Sequence, residues 1–186
     1  MGSCRMFCDV YYYDRIIYPI MIQEGSRLWQ YLSSPQRILA SDGAFLVADT
    51  ELHHDREPTD YSYLVFPFAK LYEGFLKQLF TDLGIMTERE YRSDHYRIGR
   101  SLSPGMSGRL RQHSAYGQVS ERYGKDLATR LWHAWKNGRN MVFHYFAHNY
   151  RALTLDQARS LINVLISAMD DAVSRTNVKI VPRKEE

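Results

Sequence analysis

The stretch "TLDQARSLINVLISAMDDAV", residues 154–173, decides the fold class. Thr154 followed three residues later by Gln157 is a capping box, in which each side chain satisfies a backbone N–H of the first helical turn. Leu155, Ala158, Leu161, Ile162, Leu165, Ala168, Met169 and Ala172 then recur at spacings of three and four. That period lays an apolar stripe along one face of a helix, which must be buried against other helices.

The same pattern occurs upstream. Leu64, Phe68, Leu71, Phe75 and Leu79 are spaced by four, three, four and four, predicting a helix from near Phe66 to Leu83, with Gly84 as its stop and Pro67 in its first turn. On its other face Lys70, Glu73 and Lys77 project within about 60° of one another at 100° per residue. Leu127, Leu131 and Trp135 mark a third helix, with Gly138 of "KNG" suited to a left-handed terminus. A fourth begins at Ser26 and is interrupted near Pro35, since proline lacks the N–H that a helix interior needs. For residues 7–22, a strand and a short helix both fit. Residues 53–60 read as a polar loop, residues 86–122 as an irregular one, and "VKIVPRKEE" as a tail. The sum is an all-α domain, most economically a bundle of four or more helices.

The 186 residues suit one domain, or one domain with an appendage, and are enough to bury about 70% of the unfolded surface. A charged fraction of 24% and a hydrophobic fraction of 45% exclude disordered and fibrous classes. Fourteen tyrosines suit a core, an interface or a base-stacking surface. A formal net charge of +3 is compatible with a polyanionic partner without demanding one. Cys4 and Cys8 are the two cysteines, too few for a disulfide framework or a four-cysteine zinc site, which points to a reduced, cytoplasmic setting. Asp9, Asp14 and Arg15 interrupt the apolar opening before a spanning length accumulates. No membrane anchor is expected. Met6 stands where a myristoylation signal needs Ser or Thr.

"GRNMVFHYFAHN", residues 138–149, sets Arg139, Asn140 and His144 into an apolar segment. Were it helical, Asn140 and His144 would share a face at i, i+4 and Arg139 would reach the same space. A guanidinium, the positive end of a helix and an imidazole together describe a phosphate site with an acid–base group. A purely structural trio, hydrogen-bonded within the core, is the alternative. His144 and His148 are also i, i+4, a zinc spacing, but Tyr145 stands where a zinc hydrolase carries glutamate. In the loop upstream, Arg97, Arg100, Arg109 and Arg111 are candidate phosphate contacts.

Arg139-Asn140, three residues, then His144 resembles the Arg-(four to six residues)-His motif of HEPN domains. "FPFAKLYEGFLKQLF", residues 66–80, resembles the corresponding helix of the RNase LS toxins, so the likeness spans about residues 60–175. It implies an all-α HEPN-like bundle over residues 51–186, with residues 1–50 packing on or extending it. It further implies a homodimer whose facing motifs cleave an RNA substrate without metal or cofactor, restrained by an antitoxin or regulatory protein partner. Carried over by position, Arg139, His144 and Asn140 match the motif, and Glu73 with Lys70 matches an acidic and a basic residue on the long helix. The tyrosine two residues after the histidine in the related HepT-type toxins is Phe146 here, a departure from that subgroup.

The chemistry suits these groups. RNA carries its own nucleophile, the 2′-OH, so an enzyme must remove that proton, stabilise the phosphorane and protonate the leaving 5′-oxygen. An imidazole, whose ordinary pKa is about 6.5, moves both protons near neutral pH. A guanidinium clamps two phosphate oxygens as charge accumulates. The alternative function is a non-catalytic interaction or regulatory module of the same fold.

Overall fold

A computed structural model describes residues 22–53, 57–106 and 112–180. Among these residues the regular structure is all helical, with no strand: α1 Arg27–Tyr31, α2 Ser34–Leu52, α3 Ser62–Asp82, α4 Glu88–Tyr91, α5 Ile98–Ser101, α6 Ala115–Tyr123, α7 Lys125–Trp135 and α8 Leu155–Thr176. The all-α expectation stands. The expectation for residues 7–22, and the two cysteines, lie outside the described residues apart from Ile22.

α3 is the axis of the bundle. Leu64, Val65, Phe68, Leu71, Tyr72, Phe75, Leu76, Leu79 and Phe80 are all fully buried, a ring of apolar residues that must be covered on most sides. α2 lies along one side, α8 along another, and α7 packs on α8. Leu28, Tyr31, Leu32 and Val47 of α1 and α2 belong to the same core as α3 and α8. Tyr72, buried, donates its hydroxyl to the Leu131 carbonyl at 2.9 Å and ties α3 to α7. Gln78 donates to the Tyr31 carbonyl at 2.8 Å, tying α3 to α1.

Several helix ends follow the local code. Thr154 accepts from the Gln157 N–H and Gln157 bonds back to Thr154, closing the predicted capping box of α8. The chain breaks between α1 and α2 just before Pro35, which sits in the first turn of α2, where its missing N–H costs nothing. α3 ends in paired reverse bonds, Ile85 N–H to Phe80 O at 2.8 Å and Gly84 N–H to Thr81 O at 3.0 Å, with Gly84 at φ 66°.

Four expectations are corrected. α3 starts at Ser62 rather than near Phe66, leaving Pro67 inside the helix. Burial of Leu64 and Val65, with Asp60 accepting the Ser62 N–H at 2.9 Å, offsets the one backbone bond that Pro67 cannot make. Residues 86–122 contain α4, α5 and α6 rather than a single irregular loop. Gly138 adopts no left-handed conformation: it is buried in a π-helical turn, Lys136–Asn140, that continues α7 and is closed by Met141 N–H to Lys136 O at 3.0 Å. Finally, residues 141–146 are turn and extended chain rather than helix, so Asn140 and His144 share no helical face.

Candidate functional site

The outer stripe of α3 carries Tyr63, Phe66, Lys70, Glu73 and Lys77, spaced by three and four. The chain leaving α7 runs back along this stripe. Arg139 meets Glu73, Phe143 meets Phe66 with ring centres 5.5 Å apart, and Leu153 N–H and Asn149 reach Asp60. Contact with α3 replaces the helical bonds that residues 141–146 would otherwise make.

Arg139 is held from two sides. Its Nε and Nη2 donate to the same Glu73 oxygen, Oε2, at 3.1 and 3.0 Å, and its guanidinium carbon lies 5.1 Å over the Trp135 ring. Trp135 precedes Arg139 by four residues. The π-helical turn between them places both on the same wall. Gly138 sits in that turn because Leu165 of α8 leaves no room for a larger residue: a Cβ would lie 2.8 Å from Leu165 Cδ2.

This wall borders a cleft of about 380 Å³ lined by Glu73, Arg139 and Asn140 together with Arg97, Arg100 and Trp132. Arg97 caps the start of α5 and Arg100 lies within it, and buried Ile98 and the C-terminal cap Leu102 anchor that turn to the core. Gly99, between the two arginines, lets α5 approach the edge of Trp135 where a side chain would collide. Tyr96 completes this end of the cleft. Burial pushes its hydroxyl up from the ordinary tyrosine range, the Glu90 charge acts in the same direction, and a bond with Ser101 opposes both.

Of the residues singled out in the sequence, the fold therefore gathers Glu73, Arg139, Asn140, Arg97 and Arg100 at one cleft. Lys70 is exposed one turn before Glu73 on α3 and does not line it. His144 is exposed on the turn that follows Phe143 and also stands outside the cleft lining. Arg109 and Arg111 lie outside the described residues. The spacing that suggested zinc is gone with the helix, and among the described residues no three His, Cys, Asp or Glu side chains gather as metal ligands would.

Sequence reasoning missed the cleft's aromatic wall, Tyr96, Trp132 and Trp135. The signal was present for one of them: Trp135 and Arg139 are four apart, the helical spacing at which a guanidinium can cover a ring.

Asp60 organises the other end of the stripe. It accepts from Ser62 N–H at 2.9 Å, the Ser62 hydroxyl at 2.5 Å, Leu153 N–H at 3.1 Å and Asn149 Nδ2 at 3.3 Å. Partial burial raises its pKa, but these donors outweigh it and hold the carboxyl below the ordinary 3.8. The clamp fixes the return of the chain into α8.

Chemically, the cleft offers a fixed guanidinium, two further arginines, an amide and flat aromatic walls, a donor set suited to a phosphate ester. No helix among the described residues is long and apolar enough to cross a membrane. No protein-family model, curated protein or solved structure matches this chain.

Proposed function

We propose that the chain is a HEPN-type endoribonuclease that cleaves RNA without a metal and acts as a homodimer under the restraint of an antitoxin or other regulatory protein. The observation that carries this reading is the Arg139 guanidinium, oriented by Glu73 and Trp135 at the wall of a cleft shared with Asn140, Arg97 and Arg100. In the reaction the 2′-oxygen bonds to phosphorus, its proton passes to an imidazole, the bond to the 5′-oxygen breaks and that oxygen is protonated. Arg139 faces the phosphate oxygens as negative charge accumulates on them. His144 supplies the imidazole. Because it stands outside the cleft of its own protomer, the proposal assigns the acid–base step to a groove closed by two copies.

One observation favours a second reading, a non-catalytic binding module. Glu73 already neutralises Arg139 and His144 is absent from the cleft lining, an arrangement that a structural ion pair also satisfies.

Purified protein, Arg139→Ala and His144→Ala should be incubated with end-labelled single-stranded RNA, with and without EDTA. The nuclease reading expects cleavage by the parent protein in EDTA, 2′,3′-cyclic phosphate and 5′-OH ends, and loss of cleavage in both variants at unchanged helical content. Undiminished cleavage by His144→Ala defeats the proposed chemistry. An inert parent protein that still binds RNA leaves the binding module as the function.

A further inference from the structure

From Lys136 to Leu153 the chain contains no aspartate or glutamate; it carries Lys136, Arg139 and Arg151, and four rings, Phe143, Tyr145, Phe146 and Tyr150. The fold leaves much of this aromatic surface in water. Tyr145 is 81% exposed, Tyr150 66%, Phe66 54% and Phe143 41%. The exposed aliphatic residues Ile38, Leu52, Val164 and Ile180 all lie on other segments, so the patch is aromatic and cationic rather than generally greasy.

Four of the rings are ordered in two pairs. Phe66 and Phe143 meet edge to face at 5.5 Å, as do Phe146 and Tyr150 at 5.5 Å. The Arg151 guanidinium lies 4.2 Å over Phe146 and 5.5 Å from the centre of Tyr150. A sharp reversal sets this up: His148 and Asn149 both adopt left-handed backbone, φ 56° and 51°, a conformation that disfavours residues bearing a Cβ. The bond from Asn149 to Asp60 holds it. Tyr150 and Arg151 are thereby folded back onto Phe146.

We infer that this surface is a stacking platform for the unpaired bases of single-stranded RNA, whose phosphates lead to Arg139, Arg97 and Arg100. The inference deepens the nuclease reading by naming its substrate class, and it rests on that reading for the choice of RNA. Every base has a π face, so exposed rings interleaved with cations bind single strands with little sequence preference. The electrostatics agree. Glu73 is paired with Arg139, Asp60 stays anionic while accepting from its four donors, and Lys70 and Arg151 supply the positive charge for a polyanion. A duplex hides its base faces within the helical stack and has nothing to offer Tyr145.

The test separates binding from cutting. A fluorescein-labelled 2′-O-methyl dodecamer has no 2′-OH nucleophile, so its fluorescence anisotropy reports affinity whatever the fate of the nuclease reading. The platform expects the single strand to bind tighter than a hairpin duplex of the same bases. Tyr145→Leu and Tyr150→Leu should each weaken it about five- to a hundred-fold, and Tyr145→Phe should retain affinity. Both positions are exposed, so the variants keep the fold, which circular dichroism checks. Equal affinity for single strand and duplex, no binding at all, or unchanged affinity in Tyr145→Leu overturns the platform. So does a Tyr145→Leu loss that tracks a change of association state in sedimentation velocity, which makes the ring a contact between copies. Tight single-strand binding without cleavage of unmodified RNA defeats the nuclease reading alone, whereas cleavage with unchanged Tyr145→Leu binding defeats the platform alone.

Discussion

Arg139 and Glu73, 66 positions apart in the chain, are joined by two hydrogen bonds that converge on a single carboxylate oxygen. The second oxygen of Glu73 is not used by Arg139. An arginine fixed by an acid on one edge and a ring beneath it is pre-oriented, and pre-orientation is what a phosphate clamp requires.

If the proposed nuclease reading holds, Glu73→Gln is therefore expected to impair RNA cleavage more than stability. The two side chains are 40% and 32% exposed, so solvent screening limits the stability loss to under about 1 kcal/mol. Misorientation of Arg139 should lower kcat on the order of 100-fold, with KM less affected. Steady-state kinetics beside thermal melts check this split, and an equal loss in kcat and in stability would make Glu73 a structural residue only.

Gly138→Ala should destabilise the fold by about 1–3 kcal/mol, because its Cβ would meet Leu165 Cδ2 at 2.8 Å and Cγ at 2.9 Å in the core. At this chain length that lowers Tm by roughly 2–4 °C per kcal/mol. Combining it with Leu165→Val should cost less than the sum of the single changes, since the smaller side chain makes room for the methyl. Additive losses in urea titrations would show that the π-helical turn does not depend on this contact.

Asp60 predicts a pH dependence. Its folded pKa is depressed, so the stability it contributes is present above the ordinary 3.8 and is lost as pH falls through the folded value. Asp60→Asn should accordingly be less stable than the parent by about 1–2 kcal/mol over roughly pH 5 to 7. The gap should close as pH drops below about 4. Urea midpoints measured across this range decide it. A gap that widens in acid contradicts the clamp.

Tyr72→Phe should cost about 1 kcal/mol, since the buried hydroxyl that bonds to the Leu131 carbonyl is removed while the ring remains. RNA binding should be unaffected, because Tyr72 lies inside the bundle. A melt and a binding titration on the same preparation test both halves.

How much was legible before the fold was known depends on whether the deciding interaction was local. The capping box of α8, the break before Pro35 and the stop at Gly84 were readable because each is settled within about five residues by backbone bonds and steric limits. α6 escaped because Ala115, Tyr116 and Val119 make too short an apolar run, with Gly117 among them. The start of α3 was misplaced because the rule against proline inside helices is local, whereas the burial that overrides it is not.

The sequence by itself determined the all-α class seen in the described residues, since apolar spacing of three and four leaves each helix with one face that must be covered. It also marked Arg139, Asn140, His144, Glu73, Lys70, Arg97, Arg100, Arg109 and Arg111 as candidate site residues. Only the tertiary structure decided which of them meet: the π-helical turn brings Arg139 to Glu73, and residues 141–146 give up helical bonds for contacts with α3, carrying His144 outward. The physical reason is that helical periodicity is set by bonds four residues apart, whereas a cleft is set by packing between segments 66 residues apart, which no local pattern encodes.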